Sequence, residues 1–173
     1  MQVTKQLNIS EYQIKFDRME ADAALDAISD SVKDSLSKNW LDMSLKCVSK
    51  GDILQRILRK LQIRGVVSWR VFLHLSDSEV KHMNFHSYVK LLTEQRESFF
   101  NKTELKMQKK QAYGEALLQI PMEVIRELDL RYHLDNEMFG FEDLFTEQFN
   151  HRHTAPTGVF DYKKPWNLTS LFT

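Results

Sequence analysis

Glycine and proline are scarce in this chain, five and three in 173 residues. Sandwiches, barrels and doubly wound sheets need many tight turns, and tight turns draw on both residue types, so the scarcity argues against all three. Cysteine occurs once, at Cys47. No disulfide can close within the chain, and a reducing, cytoplasmic setting is expected. No run approaches the roughly 18 apolar residues that span a bilayer, and the first five residues lack the apolar core of a signal peptide, so no membrane association is expected. Motifs that carry chemistry are missing too. The glycines are too scattered for a phosphate-cradling loop, there is no Gly-x-Ser-x-Gly elbow, and nothing around Cys47 marks an activated nucleophile.

Leu, Lys, Glu, Gln, Met and Ala recur at helical spacings instead, and a hydrophobic fraction of 42% is enough for a core. The expected fold is therefore mainly α: a compact helical domain over residues 1–153, followed by an irregular aromatic tail over 154–173. Residues 2–9 alternate loosely and leave room for a short N-terminal strand. Ser10 opens a helix to about Leu36, with Tyr12, Phe16, Met19, Leu25, Ile28, Val32 and Leu36 inward. A short helix or turn follows near residues 39–49, and Asp52 is expected to cap the next helix. Ile53, Leu54, Ile57, Leu58 and Leu61 then form one apolar stripe, ended at Gly65. Over 66–75, β-branched and aromatic residues make strand and buried helix compete. Ser76 with Glu79 predicts a capping box, and Ser87 a second long helix continuing to about Gln111. The helix–turn–helix length of 77–97 also fits a DNA-binding unit. Pro121 opens a further helix, ended at Gly140.

The formal net charge is zero, 24 Lys+Arg against 24 Asp+Glu, which taken alone disfavours a nucleic-acid partner. By position the zero is a cancellation. Residues 1–50 carry seven basic and eight acidic side chains, 51–110 twelve and six, and 111–173 five and ten. The middle third is a basic module between acidic neighbours, which bears on partners rather than on fold.

Within it, Arg56, Arg59, Lys60 and Arg64 share one side of a helix, Arg70 extends the set, and Lys106, Lys109 and Lys110 form a second group with Lys102. These are the expected phosphate contacts, with Gln55, Gln62 and Asn101 supplying amides for base edges. The expected function is that of a small non-catalytic DNA-binding accessory or regulatory protein, of the transcription-regulator kind and compatible with a homodimer. The alternative is a protein-interaction module. It would use the acidic ridge Asp22, Asp26, Asp30 and Asp34 and the tail aromatics Phe160, Tyr162 and Trp166. That ridge has a further use, pairing with the chain's own basic helix. His82 with His86, and His151 with His153, are the only histidine pairs at ligand-like spacing, and one cysteine falls short of a structural zinc set. No metal, cofactor or catalytic residue is expected.

Overall fold

The computed structural model describes residues 9–139 and 158–166. Seven helices and no strand form among the described residues: α1 (Ile9–Leu36), α2 (Lys38–Ser44), α3 (Lys50–Ile63), α4 (Asp77–His82), α5 (Phe85–Ser98), α6 (Lys102–Leu118) and α7 (Met122–Phe139). The mainly helical expectation holds. Residues 1–8, where the N-terminal strand was expected, lie outside the described residues, as do His151 and His153. No described helix is long and apolar enough to cross a membrane.

The centre of the fold is α3. Its stripe Ile53, Leu54, Ile57, Leu58 and Leu61 is fully buried, against Ile28 and Val32 of α1, Tyr88 and Leu92 of α5, and Val67, Val71 and Leu73 of the segment that follows. Each such side chain contributes about 1.5–3 kcal/mol by leaving water. The Tyr88 hydroxyl donates to the Leu54 carbonyl at 2.6 Å, and burial pushes its pKa far up, so it stays a donor. Met19 and Leu25, expected inward, are exposed. α1 has 28 residues against 14 in each of α3 and α5, and it joins the core cluster through Ile28 and Val32, C-terminal to both positions.

The helix ends follow local chemistry, with three differences from the sequence reading. Ser49, not Asp52, caps α3, accepting from the Asp52 amide. Asp52 returns the bond by accepting from the Ser49 hydroxyl at 2.8 Å, and that bond holds its carboxyl below the usual carboxylate range. The Ser76–Glu79 capping box forms as expected. The next box is Asn84 with Ser87, three residues earlier than expected. This start separates His82 on α4 from His86 on α5. The long helix expected to reach Gln111 is two helices, broken at residues 99–101, where the Asn101 side chain accepts from the Glu104 amide and starts α6.

Residues 66–75 form neither strand nor helix. Their backbone is satisfied by glutamine side chains rather than by a ladder. The Gln62 amide donates to the carbonyls of Ser68, Trp69 and Val71. Gln55 donates to Leu73, and Gln108 of α6 accepts from the Trp69 amide while donating to the Val67 and Gln62 carbonyls. A buried backbone group needs a partner of some kind, and three glutamines supply it here.

Candidate nucleic-acid interface

The four basic residues that look alike on the α3 wheel have four different environments. Arg59 is buried, and its guanidinium donates to the carbonyls of Val159 at 2.9 Å, Lys164 at 2.6 Å and Gly158 at 3.4 Å. Residues 158–166 are thereby strapped across α3. Val159 and Trp166 are buried with Ala112 of α6, against Ile63 and Trp69, and the Val159 amide donates to Glu115. Burial lowers the Arg59 pKa, while Asp161 and Glu115 draw it back up. Its charge is spent on the strap, so Arg59 is a structural residue and not a phosphate contact. Arg56 lies at the strap's edge, donating to the Tyr162 hydroxyl at 2.9 Å with its guanidinium 4.6 Å from that ring's centroid. It stays exposed and keeps four of five donors free of that bond.

Lys60 and Arg64 are exposed and form no ion pair among the described residues; Arg64 makes one long bond, 3.5 Å, to the Ser31 hydroxyl. At Gly65, α3 ends in a Schellman turn: the Gly65 amide bonds the Gln62 carbonyl and the Val66 amide the Leu61 carbonyl. Gly65 takes a φ of +68°. That turn sets the end of α3 directly on α6, because a β-carbon at Gly65 would lie 2.7 Å from the Leu105 carbonyl oxygen and 3.2 Å from Lys109 Cβ. The α3 end that carries Arg64 is thus set against the stretch of α6 that carries Lys106 and Lys109, some 45 residues on, through the contact of Gly65 with Leu105 and Lys109. Lys106, Lys109 and Lys110 are exposed and unpaired among the described residues. Lys110 stands one turn after Lys106 on the side of α6 away from Leu105, Gln108 and Ala112, farther from the Gly65 contact than Lys109.

Arg70 is not part of this surface. It pairs with Glu104 at 3.0 Å, and the same carboxylate accepts from the Trp69 indole. Lys102 pairs with Glu20 of α1. Of the amides expected to reach bases, those of Gln55 and Gln62 donate to the 66–75 segment, and the Asn101 side-chain oxygen is taken up by the α6 cap. The second helix of the 77–97 unit, α5, packs on α1 with Tyr88 and Leu92 buried.

The acidic ridge Asp22, Asp26, Asp30 and Asp34 is exposed along α1, and none of the four forms an ion pair among the described residues. It does not cover the basic helix. Of the tail aromatics, Trp166 is buried, Tyr162 is half-buried against Arg56 and Phe160 is exposed. The described part of the tail packs on α3 and α6 of its own chain. The signal that could have identified Arg59 as the strap's anchor is absent from the local pattern, since its partners lie about 100 residues downstream.

Among the described residues no group of three or more His, Cys, Asp or Glu could hold a metal ion. Compared with protein-family models, with curated proteins and with solved structures, the chain matches none. A functional reading therefore rests on the geometry.

Proposed function

We propose that the protein binds nucleic acid without acting on it chemically, as an accessory or regulatory protein, through a stripe formed by Lys60 and Arg64 of α3 and Lys109 and Lys106 of α6, with Arg56 at one end. One observation carries the reading: the Gly65 turn sets two cationic stretches that are distant in sequence on adjoining helix ends, and Lys60, Arg64, Lys106 and Lys109 form no ion pair among the described residues. A row of unpaired cations on adjoining helices suits a row of phosphates, which contributes affinity without sequence information. DNA is the polymer expected.

Fluorescence anisotropy with labelled DNA at low salt tests this. Replacing Lys60, Arg64 and Lys109 together by alanine lowers affinity about tenfold or more and leaves the melting temperature unchanged, because all three side chains are exposed. Equal affinity in the triple variant would sink the reading. Arg59 is left out of this set, because its loss acts through the fold.

A second reading is favoured by α7. Leu130, Leu134 and Met138 stand at i, i+4 and i+8 with exposures of 80%, 71% and 75%, an apolar stripe on a helix that offers it to solvent. A second copy of the chain, packed helix on helix about a two-fold axis, would bury it symmetrically. Sedimentation then shows a dimer that Leu134→Glu converts to monomer; a chain that is monomeric without the substitution removes this reading.

A further inference from the structure

A cleft of about 610 Å³ opens beside the cationic stripe, between the C-terminal end of α1, α2 and the outer side of α3. Its chemistry is divided. Val48, Ile53 and Ile57 make the apolar part of the lining, Lys33, Arg56 and Lys60 bring three cations, and Asp34 is the one carboxylate. Trp40 of α2 also lines it and is left 64% exposed. An exposed tryptophan is common enough by itself. Here the ring borders a concave, apolar recess whose charge is net positive, so the complementary ligand is a planar apolar group carrying negative charge.

We infer that this cleft takes an unpaired base of single-stranded nucleic acid, stacked on Trp40, with the adjoining phosphates held by Lys33, Arg56 and Lys60. The inference rests on the nucleic-acid reading above and names the form of the polymer. Two observations favour the single strand over the duplex. Duplex bases are stacked on one another and offer no free ring face to an indole, whereas every unpaired base offers one. A helix that reads a duplex groove must also project from the surface. Seven of the fourteen residues of α3 are buried and the strap covers a further side, so α3 is a wall and not a probe. Lys60 belongs both to the cleft and to the stripe. A strand whose base enters at Trp40 therefore leaves along Lys60, Arg64 and Lys109, a run of about 12 Å from Arg56 to Arg64 at the helical rise.

The indoles supply the readout, since Trp69 is half-buried and Trp166 buried, leaving Trp40 the open one of the three. The full chain is titrated with a short single-stranded DNA oligonucleotide and with the same strand annealed to its complement. Intrinsic fluorescence and anisotropy are followed together. The single strand quenches the fluorescence and binds more tightly than the duplex. Trp40→Ala removes the quenching and lowers single-strand affinity about tenfold, and Trp40→Phe, which keeps a stacking face, recovers most of it. Circular dichroism confirms that both variants are folded, as expected for so exposed a side chain. Unaltered single-strand affinity in Trp40→Ala overturns the inference. So does a duplex that binds as tightly as the strand, a result that leaves the nucleic-acid reading standing. Binding of neither form overturns both.

Discussion

Gly65→Ala lowers the free energy of unfolding by about 3 kcal/mol, a large effect for the addition of one methyl group. Two costs add. The left-handed conformation at a φ of +68° costs an alanine about 1–2 kcal/mol. The new β-carbon would also lie 2.7 Å from the Leu105 carbonyl oxygen, an atom fixed in the backbone of α6 that can yield only if α3 and α6 separate. Asparagine, which tolerates the left-handed region, relieves the first cost but not the second, so Gly65→Asn remains well below the unchanged protein. Gly114 is the internal control. It lies within α6, and a β-carbon there meets nothing within 4 Å. Gly114→Ala therefore raises stability by about 0.5–1 kcal/mol. Urea unfolding of the two variants gives opposite signs. If Gly65→Ala costs no more than a few tenths of a kcal/mol, the close apposition of α3 and α6 is wrong, and with it the setting of the Arg64 end of α3 against Lys109.

Arg59→Ala has an effect of similar size and a different character. Hydrogen bonds to a charged donor contribute about 1.5–3 kcal/mol each when buried, but the three carbonyls that Arg59 serves belong to one short strap, which can lift into water once released. The net loss is therefore about 2–4 kcal/mol. It is local: Val159 and Trp166 come out of their small core with Ala112, while the main core around Leu54 and Leu61 survives. Trp166 emission shifts to the red, and a protease cuts within 158–166 at a concentration that spares the unchanged chain. Arg59→Lys keeps the charge but has no planar fork to reach carbonyls on both arms of the strap. It falls between the two. A strap as protected in Arg59→Ala as before would show that Val159 and Trp166 hold it unaided.

Both positions also show where the sequence is informative. The apolar stripe of α3 was readable because five large residues at helical spacing admit one buried face, and the Ser76–Glu79 box because both halves of it lie within four residues. The stop at Gly65 was readable as a stop. That it also seats one helix on another depends on Leu105 and Lys109, some 40 residues on. Residues 66–75 carry strand-forming residues, yet their hydrogen bonds go to Gln55, Gln62 and Gln108, and propensity yields when side chains satisfy the backbone first. The break at 99–101 did leave a local sign, Asn101 three residues before Glu104, the spacing of a cap. On α3 the helical wheel places Arg56, Arg59, Lys60 and Arg64 on one basic side, yet Arg59 is buried beneath the strap. The wheel could not say that a strap from the far end of the chain would bury one of them and border another.

The stripe is the central claim, and the salt dependence of binding tests it most directly. Each phosphate neutralised on a single strand contributes about −0.7 to the slope of log K against log salt. Six cations, Lys33, Arg56, Lys60, Arg64, Lys106 and Lys109, thus give a slope of about −4, and the Lys60, Arg64 and Lys109 triple alanine variant retains about half of it. A slope near zero, or a steep slope that the triple variant leaves unchanged, would contradict the assignment of phosphate binding to these residues.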